Sequence, residues 1–223
     1  MQNESDAMSG SCCTAQPKFD GMSDGFKRAL WMVIAISAAM FAAGMSAGAI
    51  SGSQALKADA LDFLGDTITY SISLFVIGRS VRMRTSAALF KGLGLAAMGL
   101  WVLGSTLWSL IVLGQPNASV MGAVGVLALL ANLASVGVLM RYRNGDSNVR
   151  SVWVCSRNDA ISNLAVILAA ALVAVTGAAW PDLLVAALMA ALFLWSAAQI
   201  TSQALQEMRQ DRANLVSSTG LSL

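Results

Sequence analysis

Six apolar stretches, each long enough to cross a bilayer, constrain this sequence more than any other feature. A helix needs roughly 20 apolar residues to traverse the hydrocarbon core. Stretches of that kind run over about 28–50, 56–79, 88–113, 118–140, 151–177 and 180–204. Turn-like sequence separates them: "SGSQ" (51–54), "RSVRMRTS" (79–86), "GQPNAS" (114–119), "RYRNGDSNVR" (141–150) and "GAAWPD" (177–182). No strand-like alternation interrupts the pattern, and open strands cannot span lipid because their edge groups stay unpaired. The expected fold is all-α, an integral membrane bundle of six transmembrane helices over residues 26–206. A disordered cytosolic tail (1–25) precedes it and a short cytosolic tail (207–223) follows, too short to form a domain.

Composition supports the same class. Of the residues, 57% are hydrophobic and 12% charged, with mean hydropathy +0.67. A soluble domain carries about 25% charged residues. So much apolar surface cannot hide in one small core, so the surplus faces lipid. The net charge of +2 and the lack of a basic cluster interleaved with aromatics argue against a nucleic-acid partner. There is no histidine, which removes the commonest metal ligand and proton shuttle. Cys12, Cys13 and Cys155 are an odd set with one adjacent pair, which is no disulfide framework. The polar N-terminal stretch lacks the basic start and apolar core of a signal peptide.

Charge placement sets the expected orientation. With both termini inside, the cytoplasmic segments hold Lys18, Lys27, Arg28, Arg79, Arg82, Arg84, Lys91, Arg141, Arg143, Arg150, Arg209 and Arg212. The outer loops then hold only Lys57. So lopsided a bias points to an even number of spans in the cell membrane, with both termini inside. The six tryptophans lie near span ends or a few turns in, as interface anchors and packing residues do.

Ionisable groups inside a span are rare and usually functional. Here they concentrate in two spans. The second has Asp59, Asp62 and Asp66; the fifth has Cys155, Arg157 and Asp159. The interiors of the other four are expected to have none. Asp62 and Asp66 stand four apart on one helical face, with Asp59 on the same stripe. Cys155 and Asp159 repeat that spacing, with Asn163 one turn further. Two helices thus each offer a two-ligand claw. Facing one another, the claws make a site of three carboxylates and one thiol. That donor set suits a tetrahedral, borderline-soft divalent ion such as Zn²⁺, whereas Mg²⁺ and Ca²⁺ prefer oxygen alone. The same spacing would also serve a proton path, a sodium site or a polar helix contact. Arg157 is offset about 200° from Cys155 and is expected to point away from the claw.

These residues resemble the cation diffusion facilitator family, six-span exporters of Zn²⁺ and related ions driven by protons. The resemblance rests on "ADALDFLGD" in span two and "CSRNDAISNLAVILAAAL" in span five. The "LLANLAS" of span four and "WPDLLVAALMAALFL" of span six add to it. It covers roughly residues 26 to 206. It implies that Asp62, Asp66, Cys155 and Asp159 are the metal ligands, in a transporter and not an enzyme, with no prosthetic group. Three departures stand out. Cys155 occupies a position that is usually His, which favours softer ions such as Cd²⁺ or Hg²⁺. No segment matching the cytosolic domain of most members follows span six in this sequence, so a short form is expected. The basic loop between spans four and five is short and has no His-rich tract.

Such a site, empty, would hold four negative charges in low dielectric, so it takes up protons. Metal binding then releases protons, and protonation releases metal. The expected function is metal–proton antiport of Zn²⁺ or Cd²⁺. Export of Co²⁺, Ni²⁺, Fe²⁺ or Hg²⁺, or metal binding without transport, are the alternatives. Asp59 would lie on the ion path or serve as a hydrogen-bond partner within the bundle. Cys12 and Cys13 could capture soft metal. Small-residue runs "AAGMSAG" (42–48), "GLGLAAMG" (92–99) and "GAVGVLA" (122–128) permit close helix contacts. Most of these would pack within one chain, while spans three and six could form a homodimer face.

Overall fold

A computed structural model describes residues 24–76, 81–112, 114–140 and 148–218. The tail with Cys12 and Cys13 lies outside them. Six helices account for almost all of the described chain: α1 (Asp24–Ser51), α2 (Gln54–Val76), α3 (Val81–Val112), α4 (Ala118–Met140), α5 (Asn148–Thr176) and α6 (Trp180–Ser218).

Five of the helices are long and apolar enough to cross a membrane: α1, α3, α4, α5 and α6. The exception is α2, which carries Lys57, Asp59, Asp62 and Asp66. Its place in the bundle compensates for that polarity. Helices α1, α4, α5, α6 and α3 touch in that order around an arc, and α2 packs against every one of them. A helix with three carboxylates is costly to show to lipid, so the bundle surrounds it. The lipid-type surface lies on the other helices: Leu93, Leu100, Leu107 and Ile111 of α3, and Leu188, Leu192 and Trp195 of α6, are all exposed.

Two helices are longer than their apolar runs. The stretch "RSVRMRTS" was expected to be a turn, yet α3 is helical from Val81. Likewise α6 continues to Ser218, well past residue 204. Neither extension contains Gly or Pro, so nothing in the backbone ends the helix where the hydropathy changes.

The three short connections, α1–α2, α3–α4 and α5–α6, lie at one end of the bundle and are tied together there. Gly52 (φ 75°) and Gly177 (φ 65°) turn the chain out of α1 and α5 in the left-handed conformation that favours glycine. Asn117 caps α4, its Oδ1 accepting from Val120 N at 3.1 Å, while its own N–H donates to Ser51 O at 2.9 Å. Ser53 caps α2, its Oγ accepting from Leu56 N at 3.0 Å. Ser53 Oγ in turn donates to Asp182 Oδ1 of α6 at 2.5 Å. The Asp182 carboxylate also accepts from Gln54 N (2.8 Å) and Ala55 N (3.1 Å). One buried side chain from α6 thus satisfies the first amides of α2 and places a negative charge at that helix's positive end.

The small-residue runs are used inside the chain. A Cβ on Gly44 would lie 3.1 Å from Ala60 Cβ, and one on Gly99 would lie 2.9 Å from Leu194 Cγ. One on Gly125 would lie 3.0 Å from Ile167 Cγ1. These close approaches join α1 to α2, α3 to α6 and α4 to α5.

Candidate metal site

Packing along α2 is graded. From Ser53 to Leu61 every residue but Lys57 is buried. From Asp62 to Ile72 every residue but Phe63 is partly accessible. The carboxylates sit where tight packing gives way: Asp59 is buried at 3% exposure, whereas Asp62 and Asp66 are half-buried. An ion or water could reach the latter two without dismantling the core.

Helix register sets the depth of the partners. Gly125 of α4 faces Val166 and Ile167 of α5, and Gly122 faces Ala170. Two turns along this antiparallel pair, Asn132 is level with Asp159. Ala128, on the same face of α4, shares a small core cluster with Phe63 of α2. α2 and α4 run in the same direction, so one further turn puts Asn132 level with Asp66. Asp66 and Asp159 therefore share one depth in the bundle, on two helices in contact. By the same register Asp62 lies about one turn to the side of the short connections. Asp66 and Asp159 each take part in a polar or electrostatic interaction.

Among the described residues, no three Cys, Asp or Glu side chains converge into a metal-holding group. Helix α5 includes Cys155 one turn before Asp159. The Cys155 and Arg157 side chains lie outside the described residues, so the fourth donor and the expected direction of Arg157 do too.

Three residues correct or extend the sequence expectations. Lys91 was assigned to a cytoplasmic segment, and span three was expected to have no ionisable interior. Lys91 in fact lies in the membrane-crossing part of α3, and its charge acts on Asp62. Its position just inside an apolar run was the signal. The second is Asp182, the acidic residue in the "WPDLLVAALMAALFL" that opens span six. Its role in capping α2 joins residues more than a hundred apart and has no local signature. Lys57, expected in an outer loop, lies in the first turns of α2, where its charge acts on Asp182.

A family model described as the cation efflux transmembrane domain matches residues 30–208. Two curated proteins are similar to the chain. They are the metal cation efflux system protein CzcD of Cupriavidus metallidurans and the cation efflux system protein CzcD of an Alcaligenes species. Each is 27% identical over 177 residues, which is 74% of this chain and 56% of the relative. The chain thus spans a little over half the length of the relatives it matches.

Proposed function

The chain belongs to the cation efflux family, a multi-pass membrane family, and on that premise we propose that it exports a divalent transition-metal ion, Zn²⁺ or Cd²⁺, in exchange for protons. Asp62, Asp66, Cys155 and Asp159 are the proposed ligands. The observation that carries this reading is the position of α2. The one helix too polar to be a simple span is the one that touches all five others, with Asp66 level with Asp159 of α5.

The chemistry follows from charge. Carboxylates grouped inside low dielectric cannot all stay ionised without a cation. A divalent ion supplies two positive charges and displaces protons; protons arriving from the other side displace the ion. The bias of basic residues favours cytoplasmic termini, so the tied end of the bundle faces outward. The partly accessible half of α2 then faces the cytoplasm and loads the ion.

Proteoliposomes loaded with a pH indicator test this. Asp66→Ala and Asp159→Ala are expected to abolish Zn²⁺-driven proton flux, at least tenfold below the parent protein. Undiminished flux in both variants overturns the assignment. Stoichiometric Zn²⁺ binding by the parent protein with no flux would instead identify a metal-binding membrane protein that does not transport. Lowering pH is expected to weaken Zn²⁺ binding, because protons compete for the same oxygens.

A further inference from the structure

Asn163 is 1% exposed, and neither its Oδ1 nor its Nδ2 has a hydrogen-bond partner among the described residues. A buried amide left unpaired forfeits its hydration with nothing in return, and native structures rarely retain one without a reason. A packing role alone would be served at lower cost by an apolar side chain, which leaves no polar atom unpaired.

The position of Asn163 supplies the reason. It stands one turn from Asp159 on the stripe of α5 that continues through the buried residues Val166, Ala170 and Val173. The contacts of Gly125 with Val166 and Ile167, and of Gly122 with Ala170, put Asn163 level with Ala128. Ala128 clusters with Phe63, the neighbour of Asp62. Asn163 is therefore at the depth of Asp62, one turn from the level shared by Asp66, Asp159 and Asn132. Asn132 is itself buried.

We propose that Asn163 is a selectivity-determining ligand of the transported ion, its amide oxygen adding a neutral hard donor beside Asp62. This rests on the metal-site reading above. A neutral oxygen adds no charge that a proton must balance. It also favours ions that accept oxygen readily, such as Co²⁺, over the softer Cd²⁺.

The test is calorimetric binding of Co²⁺ and Cd²⁺ to the full chain in detergent, for the parent protein, Asn163→Leu and Asn163→Ala. Both variants are expected to bind Co²⁺ about tenfold more weakly and Cd²⁺ less than about threefold more weakly. Either variant recovered as a monodisperse protein decides the matter. Unchanged binding of both ions, or equal weakening of both, overturns the proposal. Asp66→Ala and Asp159→Ala serve as controls. If they bind both ions like the parent, the site reading itself has failed. If they lose the ions while the Asn163 variants keep the parent's Co²⁺ to Cd²⁺ ratio, only the present proposal has failed.

Discussion

Asp182 holds three donors at the start of α2 at once, the Ser53 cap and the first two amides, and all of them are buried with it. Asp182→Ala would strand the Gln54 and Ala55 amides and the Ser53 hydroxyl. The expected loss is about 3 kcal/mol, seen as a lower thermal unfolding temperature in detergent; an unchanged temperature would refute the cap. Asp182→Asn keeps the shape but turns an amide donor toward a backbone donor, so it should fall between alanine and the parent protein. Lys91 acts at a different point. Its positive charge acts on Asp62. Lys91→Gln is expected to shift the pH profile of Zn²⁺-driven flux toward alkaline values, because protons then compete better for the site. A profile that stays in place would remove Lys91 from the mechanism.

Among the elements, α3 and α6 pack along glycines. Gly99 brings α3 close enough that a Cβ would lie 3.2 Å from Phe193 Cβ as well as 2.9 Å from Leu194 Cγ. Phe193 is buried and cannot move aside cheaply. Gly99→Val is expected to destabilise the protein by about 1–3 kcal/mol through overpacking. Gly104, on the same helix, has nothing within 4 Å of its would-be Cβ. Gly104→Ala should therefore leave stability level or raise it by up to about 1 kcal/mol. Thermal unfolding of the pair separates close packing from helix propensity. A small-xxx-small spacing announces that a helix can be approached closely, but not by which neighbour.

For the whole molecule, the bias of basic residues and the tied connections predict opposite chemical accessibility at the two ends. With the native cysteines replaced, Gln115→Cys should react with a membrane-impermeant thiol reagent added to intact cells. Gln206→Cys should react only after permeabilisation. The reverse pattern would invert the proposed topology and the direction of transport with it. The end with the short connections is fastened by Asn117 to Ser51 and by Asp182 to Ser53, while α2 is partly accessible from Asp62 onward.

Much of this was legible in the sequence. The number of helices follows from apolar length, because lipid cannot satisfy an unpaired backbone. Asp62, Asp66 and Asp159 stand out because charge is scarce where hydrocarbon surrounds it. Family membership followed from those residues and their spacing. Helix ends were less legible, since α3 and α6 continue beyond their apolar runs and hydropathy does not report backbone propensity. Hydropathy and charge alone thus establish the set of helices and which residues cannot face lipid. Packing in three dimensions was needed to learn that α2 is the helix touching all the others. It was needed too for the cap that Asp182 of α6 places on α2, for the charge of Lys91 acting on Asp62, and for Asn163 buried at that depth. Those are relations between residues far apart in the chain, fixed by helix register and close approach, which local sequence does not encode.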